Sequence, residues 1–415
     1  MGENPRVTGQ LVFRTWIALL WLLLAAGAQA QDRSGATATA PIVLAADAGS
    51  IALGGRAQVW IEPGGQRSVE DVAAAGATLP WQLLDAGRQY RLDGGAMWVR
   101  FRVERRDEQH WYLAVGLSGA DRVQLFHQDR QGRWVGEEAG DTRAVSDWPL
   151  PGRVPTFELQ DDGHPDEQFL ARIVHERVDF AAPLTLYSQG RLLAVREREQ
   201  FLLGAYFGLS VLLALVSIFN TIGYRDRLFG VYAVYLVTFT LSQAAYIGVG
   251  GQHLWNQWLG WNAESTFVLP GLAAPAALWF VHAVTEPARF SRRLNLLVQL
   301  LIVTLLVLAL VDPVLPSRAL LSIRLALTGL ALVVVALLIG LVWRKGDDPD
   351  IRIIALGFVP VLVMALFPIA RGMNLIPNNL FTRYGLSIGA ALEMPILFYA
   401  LSRRGSRRRE SQLRA

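Results

Sequence analysis

Two hydrophobic periodicities divide the chain. Between residues 41 and 190, apolar and polar residues alternate in short runs. "MWVRFRVE" sets Val99, Phe101 and Val103 on one face and Trp98, Arg100, Arg102 and Glu104 on the other. "WYLAVGL" groups Trp111, Leu113, Val115 and Leu117, and "DRVQLFHQ" alternates Val123 and Leu125 with polar neighbours. "QFLARIV" and "LTLYS" repeat the pattern. Period-two alternation over such lengths predicts half-buried strands. The breaks between runs carry turn chemistry: "LDGGA", "HQDRQGRW", "LPGRVP" and "DDGHPDE". One helical signature interrupts the strands, "SVEDVAAAG", where Ser68 is placed to cap and Asp71 follows three residues later. Many short antiparallel strands predict an all-β sandwich, jelly-roll-like.

From Phe201 the alternation disappears. Seven apolar segments follow, at 201–222, 228–249, 264–284, 294–312, 318–343, 352–371 and 382–402. A helix of ~20 residues crosses a hydrocarbon core about 30 Å thick. The expected second domain, 201–402, is therefore an all-α seven-helix transmembrane bundle. Residues 191–200 form a connector and 403–415 a basic tail. Composition agrees: 52% of residues are hydrophobic and 18% charged, and beyond residue 200 the charges gather in clusters.

Those clusters predict an orientation. Arg225 and Arg227, then Arg289, Arg292 and Arg293, then Arg344, Lys345 and Arg352 occupy alternate loops, and six arginines fill the tail. The intervening loops hold only Arg318, Arg371 and Arg383. Basic loops stay in the cytoplasm, which places the sandwich outside and the tail inside. "HLWNQWLGW" sits where an interfacial aromatic belt is expected. An independent feature agrees. Arg6 and Arg14 precede "WIALLWLLLAAGA" and then "AQA", the pattern of a secretory signal cut after Ala30. Residues 1–30 read as that signal and 31–40 as a linker. The expected location is a membrane, with its lipids as partners, an exported first domain and a cytoplasmic C-terminus.

Candidate chemistry is sparse. There is no cysteine, which excludes disulfides, thiolate metal sites and a Cys nucleophile. His110, His127, His164 and His175 lack metal-ligand spacing, so no metal or other cofactor is expected. The net charge of +4 comes largely from the basic loops and does not suggest nucleic-acid binding. Trp98, Arg100 and Arg102, with Tyr112 and Phe126 on neighbouring strands, could stack on a sugar or grip an anion. The alternative is an ordinary sandwich surface with Trp98 covered. Glu393 lies within the last apolar segment, where a carboxylate is expected to face the bundle interior. Asn220, Thr238, Gln243 and His282 are its candidate partners, and Asn220, His282 and Glu393 are the relay candidates. A buried structural hydrogen bond is the alternative role for Glu393.

At this point the chain resembles the bacterial seven-transmembrane receptors with diverse intracellular signalling modules. "LLGAYFGLSVLLALVSIFNTIGYRDRLFGVYAVYLV" is similar to that family's first two spans, with a Gly-x-Tyr-x-Gly opening, an Asn near the inner end and a basic turn. "GAALEMPILFYALSRR" is similar to its last span. "GAMWVRFRV", "WYLAVGLSGADRVQLFHQDRQGRW", "PLPGRVPTFEL" and "PLTLYS" resemble its extracellular sandwich. The resemblance implies a receptor whose outer domain senses a small ligand, carbohydrate being one class, and whose bundle relays the change. It also implies a bacterial inner membrane with a periplasmic first domain, and an output module after the last span. No GGDEF-like loop, phospho-acceptor His, P-loop or nucleotide-binding glycine pattern appears in this chain.

The expectation is therefore a non-enzymatic receptor acting on a cytoplasmic signalling protein in trans, with a homodimer left open. The first alternative is the sensor half of a truncated diguanylate cyclase or histidine kinase. A transporter or channel fits less well, because inverted repeats and interrupted helix pairs are missing from the span pattern.

Overall fold

A computed structural model describes residues 40–45, 47–106, 108–160, 167–345, 349–372, 376 and 380–414. The proposed signal and nearly all of the linker lie outside them. The alternating half of the chain forms a sandwich of two sheets. Strands β1 (Ile42–Leu44), β2 (Ser50–Ala52), β3 (Gln58–Glu62) and β4 (Gln82–Leu83) precede the long β5 (Ala96–Arg105). Then come β6 (Trp111–Val115), β7 (Arg122–Gln128), β8 (Trp134–Ala139), β9 (Thr156–Glu158), β10 (Glu167–Val174) and β11 (Leu184–Ser188). The larger sheet runs β4-β3-β5-β10-β7-β8, with β1 parallel to β5. The smaller runs β2-β11-β6-β9.

The inward-facing set is the one the alternation selects. Val99, Phe101, Val103, Trp111, Leu113, Val123 and Leu125 are buried between the sheets, and Phe101 stacks on Phe169 with ring centroids 5.5 Å apart. Burying a Val, Leu or Phe side chain stabilises by about 1.5–3 kcal/mol, so this face alone fixes the strand register.

A second, smaller core covers the outer face of the larger sheet. Helix α1 (Val69–Ala75) starts where its capping box directs: Asp71 N–H donates to Ser68 Oγ, and Ser68 N–H donates to the Asp71 carboxylate, both at 3.2 Å. Its apolar side, Val69 and Val72, packs with Trp60, Trp81, Trp98 and Leu170.

β11 passes directly into the first long helix, α2 (Gln189–Tyr224). The stretch set aside as a connector is therefore helical. The bundle continues with α3 (Arg227–Ile247), α4 (Leu259–Thr285), α5 (Arg292–Val311) and α6 (Arg318–Lys345). The last helix begins at Leu380. The sixth apolar segment differs from expectation, because it is two helices, α7 (Pro349–Gly357) and α8 (Val359–Gly372). Pro360 supplies no N–H for the carbonyl four residues earlier, which breaks the hydrogen-bond ladder there. Among the described residues, six helices are thus long and apolar enough to cross a membrane, and the broken one supplies a shorter apolar stretch.

Helix α9 (Leu380–Arg414) touches α2, α3, α7 and α8. It passes through Gly405 without a break, although glycine disfavours helix there. Outward-pointing Phe219, Ile222, Leu296, Leu300 and Leu325 are exposed, as lipid-facing side chains should be. Trp258 is also exposed, but Trp255 is buried and packs edge-on against Trp261, so the tryptophan cluster is only partly an outer belt.

Candidate functional site

Three places bear on function: the outer face of the larger sheet, the junction between sandwich and bundle, and the buried acid on α9.

On the outer face, Trp98 is fully buried beneath α1 and its indole N–H donates to Glu62 Oε2 at 2.8 Å. It presents no open surface. Most of the aromatics and arginines around it are engaged as well. Arg100 Nε donates to Gln58 Oε1 at 2.6 Å, and its guanidinium lies 4.3 Å from the Trp81 ring. Burial, and then the neighbouring Arg102, hold Arg100 below the usual arginine range. Phe126 does lie beside Trp98, stacked at 6.0 Å. Tyr112 does not. It belongs to β6 in the other sheet, opposite Tyr187 and Glu158. Alternation assigns a face within one strand but not which sheet receives the strand. Arg102 remains exposed, opposite Gln168, and Phe126 and Trp134 remain half-buried.

The junction is built from charge. Arg153 leaves the loop before β9 and reaches three elements. It donates to the Glu199 carboxylate on α2, to the Tyr384 hydroxyl on α9 at 3.1 Å, and to the Ile247 carbonyl ending α3 at 3.3 Å. Tyr384 donates in turn to Glu199 Oε1 at 3.1 Å, closing a triangle of sandwich, first helix and last helix. Gly248 makes this approach possible. Its φ is +86°, and a Cβ there would meet the Arg153 carbonyl at 2.4 Å.

A second node lies across the interface. Asp312, ending α5, is buried between two cations. Arg324 of α6 donates to its Oδ2 at 2.9 Å, and Arg177 of the sandwich lies 2.8 Å from Oδ1, as a charge contact. Arg177 also donates to Glu264 at 2.9 Å and sits 3.9 Å from the Phe267 ring. Arg318 adds Asp179 at 2.8 Å and the Glu176 carbonyl. The sandwich and α4 also meet where Asn262 donates to Asp141 Oδ1 at 3.0 Å. Burial, with Asp121 adding to it, pushes the Asp141 carboxyl up to about 8.

Within the bundle, Glu393 is fully buried and accepts from the Tyr235 hydroxyl at 2.8 Å. Tyr232 donates to the Met394 carbonyl at 2.9 Å, and Ser210 of α2 contacts the Met394 sulfur at 3.3 Å. Pro395 follows, removing one helical N–H. Phe280 stacks on Tyr235 at 5.9 Å, and Phe358, at the α7–α8 break, lies 5.6 Å from Phe280. None of the expected partners is the one used. His282 bonds Asn295 at 2.8 Å, Thr238 bonds its own helix, and Asn220 lies half-buried elsewhere on α2. Gln243 does reach α9, but at Ser387, with 2.8 Å between them. Asn220, His282 and Glu393 therefore do not form one node. A hydropathy pattern does not register the hydroxyl of a tyrosine, although Tyr232, Tyr235 and Phe239 share a helical face.

Thus one sandwich loop holds the first and last helices, and the last helix carries the buried acid. Comparison with known families divides the chain at the same junction. The 7TMR-DISM extracellular 2 family matches residues 54–188, and the 7TM diverse intracellular signalling family matches residues 199–404. The chain belongs to the 7TMR-DISM receptors. A 7TMR-DISM receptor is a membrane signalling protein with an extracellular N-terminal domain, and the sandwich followed by membrane-capable helices matches that plan. Arg153 lies in the first matched region, and Glu199, Tyr384 and Glu393 lie in the second. No curated protein shows significant similarity to the chain.

Proposed function

We propose that this 7TMR-DISM receptor senses a small extracytoplasmic ligand on its sandwich and transmits the event through α2 and α9 to a cytoplasmic signalling protein acting in trans. The chain itself carries no catalysis in this reading. A carbohydrate suits the exposed part of the outer face, where Arg102 is available and Phe126 and Trp134 are half-buried. The basic loops and tail face the cytoplasm of a bacterium, across its inner membrane. In support, Arg225, Arg227 and Arg404 line one cleft, while the start of α6 rests on the sandwich through Arg318.

One observation carries the reading: Arg153 is bonded at once to α2 and α9. A relay needs two bundle arrangements that the ligand tells apart. A shift of the loop bearing Arg153 would act on both helices, and β11 would pull on α2 directly. Glu393, Tyr235 and Pro395 then form the point where α9 repacks. The continuous helix through Arg407 passes that movement onward, whether to a separate protein or to a module on the same chain.

The absence of cysteine allows a clean test. Spin labels at Arg293→Cys and Ser406→Cys report the distance between the α5 start and the α9 exit. Arg153→Gln is expected to shift or broaden that distance distribution. An unchanged distribution in a folded Arg153→Gln protein defeats the relay.

A further inference from the structure

A cleft of about 110 Å³ lies between the smaller sheet and the start of the bundle. Thr185 and Tyr187 of β11, Arg153 of the loop, Arg196 and Glu199 of α2, and Arg383 of α9 line it. Three guanidinium groups therefore face one carboxylate. Arg153 is matched to that carboxylate. The other two are not. Arg196 donates only to neutral acceptors, the Pro151 carbonyl at 3.3 Å and Thr156 Oγ1 at 3.1 Å. Arg383 makes no hydrogen bond or ion pair among the described residues and lies 5.7 Å from the Tyr384 ring.

Arg196 and Arg383 thus have no hydrogen-bonded carboxylate among the described residues, and Arg196 is held below the usual arginine range by burial and then by the neighbouring Arg153. Guanidinium groups gathered around one concave space focus a positive potential into it. A guanidinium offers paired donors matched to carboxylate and phosphate oxygens. The space holds a few waters at about 30 Å³ each, or one anion of phosphate or short dicarboxylate size. From this geometry we propose that the cleft is an anion site, binding the phosphate or carboxylate group of a small molecule or a lipid headgroup. Both sources can reach it. Glu199 and Gln200 directly precede the apolar run of α2, and Arg383 opens the last apolar segment, so the cleft stands at headgroup level. A bound anion would tie Arg196 of the first helix to Arg383 of the last, beside the Arg153 triangle. The site stands on its own geometry and does not depend on the relay.

The test uses the full chain in maltoside micelles free of phosphate. Sodium phosphate and sodium succinate are titrated against sodium chloride at equal ionic strength. Phosphatidylglycerol is added in a separate series of mixed micelles. Tryptophan fluorescence reads the thermal midpoint, which is expected to rise saturably with one of the anions. Arg383→Gln should weaken the apparent affinity about tenfold, the loss expected for one charge-assisted contact. Thr185→Asp places a tethered carboxylate in the cleft and should abolish the response with every arginine intact. If Arg383→Gln does not fold, Thr185→Asp decides alone. A response to phosphate or succinate supports a soluble anion, and a response to phosphatidylglycerol alone supports a headgroup. No shift beyond chloride overturns the proposal, as does a response unchanged in the variants. The readout is occupancy, so it can fail while helix movement on Arg153→Gln persists, and the reverse.

Discussion

Asp312→Asn isolates the charge chemistry that joins the two domains. Asp312 is 1% exposed and holds Arg324 at 2.9 Å and Arg177 at 2.8 Å. The amide keeps the shape but removes the charge. Its oxygen satisfies one guanidinium, while its NH2 group turns donors toward the other. Glu264 still faces Arg177, but Arg324, 5% exposed, loses its counter-charge. Breaking a buried ion pair by removing one partner costs roughly 3–5 kcal/mol, mostly as the penalty on the charge left behind. At about 2–4 °C per kcal/mol for a domain of 150–250 residues, the thermal midpoint should fall by about 10 °C.

Arg177→Met separates the sandwich's share of that loss. It leaves Asp312 paired to Arg324 and removes a contact that is partly solvent-exposed, so the drop should be smaller. The double variant then decides. With Arg177 gone, Asp312→Asn strands one cation instead of stressing two, and the losses should fall short of additive by about 1 kcal/mol or more. The assay is fluorescence-detected unfolding of the full chain in one detergent. A midpoint for Asp312→Asn within about 2 °C of the parent would refute the argument, and strictly additive losses would show that Arg177 and Asp312 are not coupled.

Two further outcomes concern the acids on either side of the junction. The Asp141 carboxyl titrates near 8 in the folded protein against 3.8 ordinarily, so the folded state holds a proton that the unfolded chain releases. Stability should therefore fall as pH rises from about 4 through about 8, and Asp141→Asn should flatten that slope in a pH series of thermal midpoints. In the bundle, Tyr235→Phe leaves Glu393 without its donor and should cost about 1 kcal/mol. Glu393→Gln should alter the spin-label distance at the α9 exit with the folded amount unchanged, and a fall in yield alone would make the residue purely structural.

Much of the fold is legible in the sequence because it is local. Period-two alternation alone places Val99, Phe101 and Val103 inside. The spacing of Ser68 and Asp71 gave the cap of α1. Unbroken apolar runs gave the helices. The misses share a cause: each depends on what lies opposite in space. Tyr112 alternates correctly, yet its strand joins the other sheet. Trp98 points outward, yet α1 covers it. Glu393 finds Tyr235 across two helices, 158 positions away in sequence. The break between α7 and α8 is a different case, since Pro360 stands within "ALGFVP" and hydropathy alone does not register its effect on the helix.

The junction itself left a trace in the charge pattern. The connections poor in basic residues still hold Arg318, Arg371 and Arg383. A charge kept against a general bias implies a local use. Arg318 meets Asp179 and the Glu176 carbonyl of the sandwich. Arg383 faces the cleft beside Arg153 and Arg196. The same reasoning applies to "VREREQ", whose charges immediately precede an apolar run. Arg196 and Glu199 are the members that turn toward the sandwich loop, binding Thr156 and Arg153. Together these charged residues mark the surface where the sandwich grips the bundle.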